Sequence, residues 1–270
     1  ADLIFRLAWA AKPRTALVTA PTFAEYAAAL EGAGCAVLRH FLQAEVDFAV
    51  TDSILSSITP EVDMVFLCQP NNPTGQLTPL PLVERILRRC EACGALLVVD
   101  ECFLDFLPDC DALTAKALLD SKNLLILKAF TKLYGMAGVR LGYCLCTNTA
   151  LLEAMQAAGQ PWAVSSLAQA AGLAALDETA YVAQVRALIA QQRPRLTAGL
   201  RALGLRVLDG RANYLLFQGP ETLGDALRQR SVVLRSCSNY PGLDGSWYRT
   251  AVRTGPENDE LLKTLAEVLA

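Results

Sequence analysis

Between residues 15 and 146, short apolar runs alternate with stretches of helical spacing, and this alternation limits the fold more than any other feature. Thr15–Thr19, Ala36–Phe41, Met64–Cys68, Ala95–Asp100, Leu124–Lys128 and Val139–Cys146 read as strands. Phe23–Ala33 and Pro81–Cys93 read as helices; Gly34 stops the first, and Gly94 suits the left-handed cap of the second. The run Ala95–Asp100 is apolar and β-branched rather than alternating, as in a parallel strand buried on both faces. Strands separated by helices in this way predict an α/β fold, a mostly parallel or mixed sheet flanked by helices.

The second half changes character. Leu167–Leu203 is rich in alanine and reads as long helices, with Pro194 as a kink or a helix start. Short strands follow at Arg206–Leu208, Tyr214–Phe217, Val232–Arg235 and Tyr248–Val252, with helices at Thr222–Gln229 and Asn258–Leu269. This reads as a smaller α+β C-terminal domain. A boundary near residues 155–165, at Gly159-Gln160-Pro161, divides the chain into a large domain, 1–160, and a small one, 161–270.

Composition excludes several classes. Hydrophobic residues make up 53% of the 270 residues and charged residues 19%, enough for a core and unlike a disordered chain. Mean hydropathy is +0.30, yet no apolar run approaches the ~20 residues of a spanning helix, so no membrane role is expected. The net charge is −3 with no long basic stretch, which argues against nucleic acid as a partner. Nine scattered cysteines include one isolated pair, Cys90-x-x-Cys93, and the single histidine is His40. No metal site is expected, and the thiols are read as reduced, in the cytoplasm. His40, on the strand Ala36–Phe41, is read as structural. The chain starts without Met and directly in helical spacing, Ala1–Ala10, from which further sequence upstream is expected.

In doubly wound sheets ligands bind at the carboxyl ends of the strands. Four polar residues fall there: Asn72 in the turn Pro70-Asn71-Asn72-Pro73-Thr74-Gly75, Asp100 closing its strand, Lys132 just after Leu124–Lys128, and Arg140 eight residues further. Only six of the 24 cationic residues are lysines, which makes a lysine in such a setting more informative. An acid, an amide, a lysine and an arginine at one sheet edge can hold an aromatic, phosphorylated cofactor.

This arrangement resembles the fold-type I pyridoxal-phosphate enzymes, the class I/II aminotransferase superfamily. The matching stretches are Pro70–Gly75, Asp100-Glu101-Cys102-Phe103, Thr131-Lys132 and Gly138-Val139-Arg140-Leu141-Gly142-Tyr143. The resemblance implies pyridoxal 5'-phosphate (PLP) as cofactor and a homodimer with the active site at its interface. Lys132 would supply the amine that bonds PLP. Asp100 would keep the pyridine nitrogen protonated, Asn72 would donate to the phenolic oxygen, and Thr131 and Arg140 would hold the phosphate. Phe23, after Pro21-Thr22, would stack on the ring, and Ala1 would neighbour the phosphate through its backbone N–H at the start of a helix. Glu101 is read as a structural hydrogen-bonder.

Within the superfamily the chain is similar to the branch that holds histidinol-phosphate aminotransferases and threonine-phosphate decarboxylases. Pro21–Tyr26, Asp100–Pro108, Gln160-Pro161-Trp162 and Arg235–Asp244 favour the decarboxylases. Phe103 stands where the aminotransferases usually carry a tyrosine that contacts the phenolic oxygen. The expectation is decarboxylation of L-threonine O-3-phosphate to aminopropanol phosphate for cobalamin assembly, with a histidinol-phosphate-type aminotransferase as the alternative. For a phosphorylated amino acid, Arg249 matches the carboxylate-binding arginine of the small domain, and Arg235 is expected at the substrate's other anion. Arg253, an even offset from Arg249 on a strand, shares its face and reads equally as a site or a surface residue. Two features depart from the pattern: Ala129 replaces the usual Ser or Thr three residues before the lysine, and the family's N-terminal segment is absent. They leave open a third reading, a non-catalytic member of the fold.

Overall fold

Six of the apolar runs pair into one sheet in a computed structural model that describes residues 1–270. The strands are β1 (Thr15–Ala20), β2 (Ala36–Phe41), β3 (Met64–Cys68), β4 (Leu96–Asp100), β5 (Leu124–Ala129) and β6 (Gly142–Leu145). Their order is β2-β1-β3-β4-β5-β6. Strands β1 to β5 run parallel, and β6 closes one edge antiparallel to β5.

The period of two explains why the inner strands β1, β3, β4 and β5 are largely apolar on both faces. Leu97 and Val99 of β4, with Leu124 and Ile126 of β5, enter one core, beside helices α3 (Ile54–Ser57) and α4 (Leu80–Cys93). Val98, Leu125 and Leu127 point the other way, into a core with α1 (Asp2–Ala11), α2 (Glu25–Gly32) and α7 (Thr149–Ala157). With helices on both faces, neither side of a strand can be polar. Two one-turn helices, α5 (Cys110–Leu113) and α6 (Phe130–Leu133), fill connections.

The second sheet is antiparallel, in the order β7-β8-β10-β9, built from β7 (Arg206–Val207), β8 (Tyr214–Gln218), β9 (Arg235–Ser236) and β10 (Trp247–Ala251). Helices α9 (Thr179–Ala202), α10 (Leu223–Gln229) and α11 (Gly255–Leu269) share a core with it. A capping box of Thr254 and Glu257 starts α11. Between the two sheets, α7 ends at Ala157 and α8 (Ser166–Asp177) begins after the stretch where the boundary was expected. No helix is long and apolar enough to cross a membrane.

The structure differs from the expected elements at several points. Pro194 lies inside α9 rather than at its start. Val232–Leu234 stay unpaired, and pairing begins at Arg235, which faces Arg249. Strand β6 starts at Gly142, not Val139, because Arg140 adopts a left-handed backbone (φ 59°) that no strand accommodates. Helix α7 went unread, although Asn148 caps it by accepting from the Leu151 N–H.

Candidate active site

The carboxyl ends of β3, β4 and β5 open onto a cavity of about 470 Å3. Ala1, Phe23, Asn72, Asp100, Thr131, Lys132 and Arg140 all line it, so seven of the nine expected site residues share one wall. They arrive on six connections: the N-terminus of α1, the loop after β1, the turn after β3, the end of β4, α6 after β5 (both Thr131 and Lys132), and the turn before β6.

Asp100 is the most constrained of them. It is 6% exposed, and both its oxygens are engaged: Oδ2 accepts from the Tyr26 hydroxyl at 2.7 Å and Oδ1 from the Cys102 N–H at 3.0 Å. Tyr26 is fully buried, stacked on Phe66 with centroids 4.8 Å apart and edge-on to Phe23 at 5.5 Å. Burial, reinforced by the Asp100 charge, holds its phenol well above the usual value, so it stays a donor. The same causes push the Cys68 thiol up to about 12 and raise that of Cys102. Both thiols line the cavity as neutral groups, not as thiolate nucleophiles. Two neutral thiols and a hydroxyl lie around this carboxylate, which makes no ion pair with a side chain of the protein. A protonated ring nitrogen suits that environment.

Two lysines reach the wall, and only one is free. The Lys128 ammonium pairs with Glu101 at 3.1 Å and Asp105 at 2.8 Å. Burial pulls its pKa down, but the two carboxylates outweigh that, and the net shift is upward. Glu101, fully buried, also accepts from the Thr114 hydroxyl and the Ala115 N–H, both at 2.7 Å. It is a structural hydrogen-bonder, as expected. Lys132 has no carboxylate partner; its ammonium stands 5.3 Å from the centre of the Phe103 ring. Phe103 in turn packs edge-on against Tyr214, whose hydroxyl donates to the Asn71 carbonyl and so turns away from the cavity.

Asn72 is 6% exposed and connects the two sheets. Its Oδ1 accepts from the Arg249 guanidinium and, at 3.4 Å, from the Tyr240 hydroxyl. With that oxygen occupied, the amide nitrogen is the group left to face the cavity. The neighbouring Asn71 fixes the turn: its side chain accepts from Thr22 and donates to the Pro21 carbonyl and to Thr74. Gly75 (φ 72°) closes it against Gly210 of the small domain; a Cβ on Gly210 would sit 2.7 Å from the Gly75 and Thr74 backbone.

Arg235 and Arg249 lie outside the cavity wall. They are directly opposed on β9 and β10, with Arg249 5.0 Å from the Tyr214 ring centre and Arg235 5.8 Å from that of Tyr240. Two like charges at a directly opposed pair repel, so this spot favours an anion. Arg253 is turned elsewhere, pairing with Glu257 at 2.7 Å on the first turn of α11. It takes the surface role of its two readings.

At the far end, Ala1, Asp2 and Leu3 present the start of α1, where backbone N–H groups lack partners within the helix. Thr131 and Arg140 stand with them, and Arg140 is anchored by donation to the Ala137 carbonyl at 2.9 Å. Ala129 presents a methyl group in the same wall. Arg6 also reaches it, paired with Asp2 at 2.7 Å.

A buried carboxylate, a free lysine, an amide with its N–H2 available, an aromatic face, and a helix start with a hydroxyl and a guanidinium form the donor set that PLP needs. The residues present fit the cofactor.

The chain matches aminotransferase class I and II over residues 1–266. It is 38% identical over 99% of its length to a threonine-phosphate decarboxylase of Salmonella typhimurium, covering 74% of that protein. It is 33% identical over 94% of its length to a histidinol-phosphate aminotransferase of Lactiplantibacillus plantarum, covering 70% of it. Among solved structures, a histidinol-phosphate aminotransferase from Clostridium acetobutylicum superposes with a TM-score of 0.93 at 27% identity, covering 99% of this chain and 81% of that one. An L-threonine-O-3-phosphate decarboxylase from Porphyromonas gingivalis shares the fold, with a TM-score of 0.82 at 24% identity over 98% of this chain and 80% of its own.

Proposed function

We propose that this chain, which belongs to the aminotransferase class I and II family, decarboxylates L-threonine O-3-phosphate to aminopropanol phosphate and so feeds cobalamin assembly. Enzymes of the family depend on PLP, which when bound supplies an electron sink for the pair left at the substrate Cα after bond cleavage. In this reading Lys132 Nζ holds the cofactor covalently and afterwards carries the proton to and from Cα. Asp100, oriented by its hydrogen bonds from the Tyr26 hydroxyl and the Cys102 N–H, would keep the ring nitrogen protonated. Asn72 donates to the phenolic oxygen, Phe23 covers one ring face, and Arg140, Thr131 and the N–H groups at Ala1 receive the phosphate.

Arg249 binds the substrate carboxylate, and Arg235 the second anion. Arg249 would fix the orientation of the substrate's Cα bonds, and that orientation would decide whether CO2 is lost or the Cα proton passes to Lys132, the bound PLP supplying the electron sink in either case.

The observation that carries the reading is the single cavity in which a partner-free Lys132 faces a buried, hydroxyl-bound Asp100. Phe103, which offers no hydroxyl to the phenolic oxygen, and the relative from Salmonella typhimurium favour the decarboxylase. The histidinol-phosphate aminotransferases among the relatives carry the alternative. The test supplies L-threonine O-3-phosphate to the PLP-loaded protein without a 2-oxoacid. Stoichiometric CO2 release is expected; amino transfer from histidinol phosphate to 2-oxoglutarate, with no CO2, would assign the aminotransferase.

The reading includes a homodimer in the cytoplasm. Around α8 the chain exposes Trp162 at 95%, Leu167 at 83%, Leu173 at 69% and Leu176 at 59%. A second copy is the occupant expected there, and nine free thiols fit a reducing compartment.

A further inference from the structure

A second cavity, of about 220 Å3, lies away from the catalytic one, between α9, the loop after β4 and the loop before β8. Three guanidinium groups line it: Arg186, Arg193 and Arg211. Arg186 and Arg193 are seven residues apart on α9, two turns along one helix face.

Their protein partners leave much of this charge uncompensated. Arg186 is anchored on a backbone carbonyl, with Nε and Nη2 donating to Asp105 O at 3.0 and 2.9 Å. Arg193 is half-buried, and its one protein acceptor is the Gly210 carbonyl. Only Arg211 has a carboxylate, Asp109, at 2.8 Å. The other acids nearby are committed elsewhere: Asp209 to Arg201 at 2.8 Å and the Asp105 carboxylate to Lys128 at 2.8 Å. Within ion-pair distance the three guanidinium groups thus meet one carboxylate, with Asp209 acting on Arg193 from further off. A guanidinium has five donors, and Arg193 uses one. Arg186 Nη2 also contacts the Cys110 Sγ at 3.2 Å, and both arginines, with donors left over, line the groove. Burial also lowers the Arg193 pKa, a sign that its charge is under-compensated. Forks held on backbone carbonyls are already oriented, which reduces the ordering cost of binding.

We propose that this groove is a second, non-catalytic anion site that takes a phosphate group, either free phosphate or a small phosphate monoester. Tetrahedral oxyanions offer several acceptors to converging forks, and Phe106, Pro108 and Ile189 give the groove an apolar side for an ester's carbon chain.

The test titrates phosphate and, separately, glycerol 3-phosphate into the PLP-loaded protein by calorimetry, with KCl holding ionic strength constant. Arg193→Gln and Arg186→Gln are titrated alongside wild type, because the catalytic cavity has cations of its own. Each substitution should weaken one binding component about tenfold, the loss of one charge-assisted contact. Binding of phosphate alone assigns the free ion; binding of both assigns monoesters as well. Identical isotherms in wild type and both variants would overturn the site. If a variant fails to fold, a tungstate-soaked crystal of the wild-type protein decides. An anomalous peak between Arg186 and Arg193 supports the site, and a peak confined to the catalytic cavity refutes it.

Discussion

Lys132 and Lys128 stand four residues apart in one cavity wall, and their surroundings give them different chemistry. Lys128 is locked between two carboxylates, whereas Lys132 meets only the Phe103 ring. Replacing Lys132 with Ala should therefore remove the visible absorbance band of the lysine-bound cofactor near ~420 nm, and turnover with it, while thermal stability is unchanged. Retained activity together with a borohydride-reducible adduct would reassign the lysine. Tyr26 tests the other end of the ring. Tyr26→Phe deletes a hydrogen bond to a charged group, worth about 1.5–3 kcal/mol, while the ring stays packed on Phe66. PLP affinity, measured by fluorescence titration, should fall about tenfold or more. Arg249→Ala should lower kcat/KM roughly 30-fold or more, as expected when a charge-assisted contact costing ~2–5 kcal/mol is lost. Arg249→Lys should recover part of this, since an ammonium lacks the bidentate fork. Unchanged kcat/KM in Arg249→Ala would move the carboxylate to Arg235.

The loop after β4 shows how an element can be stiffened from within. Buried Glu101 and Lys128, with the half-buried Asp105, form a triad that ties this loop to β5. Lys128→Met would leave Glu101 charged and without its cation, at about 3–5 kcal/mol by the behaviour of broken buried pairs, read as a lower urea midpoint. Because the folded Lys128 pKa is raised, its contribution is complete below the unfolded value of about 10.4. It disappears as pH rises through the higher folded value. Wild type should lose stability in that alkaline range, and Lys128→Met should lose less there. The elements themselves were largely readable from their periods. Strands β2 and β3 match the expected limits at both ends; for β3 a continuous apolar run bounded by turns permits little else. The same holds for the site residues that follow strands, since a carboxyl strand end projects its next polar residue toward the ligand edge. What stayed hidden depends on partners distant in sequence. Tyr26 sits one helical turn from Phe23, a spacing visible in the chain. Its contact with Asp100 requires the order β1-β3-β4, which no local pattern encodes. Tyr240 and the groove arginines are hidden for the same reason.

At the scale of the molecule, the exposed Trp162, Leu167, Leu173 and Leu176 around α8 carry the dimer reading. Light scattering at micromolar concentration should give the mass of a dimer, and Leu173→Asp should shift it toward the monomer; a monomeric wild type would refute the assembly. Among the polar contacts between the two sheets is that of Arg249 with Asn72. In the proposed reading, a substrate carboxylate and the Asn72 carbonyl oxygen compete for the same guanidinium. In that reading Asn72 is also the donor to the cofactor's phenolic oxygen. Occupancy of one ligand then alters the free energy of holding the other, and thermodynamic reciprocity requires the factor to be equal in both directions. An amino acid that draws Arg249 away changes how tightly PLP is retained, and loss of PLP changes the amino acid's affinity by that same ratio.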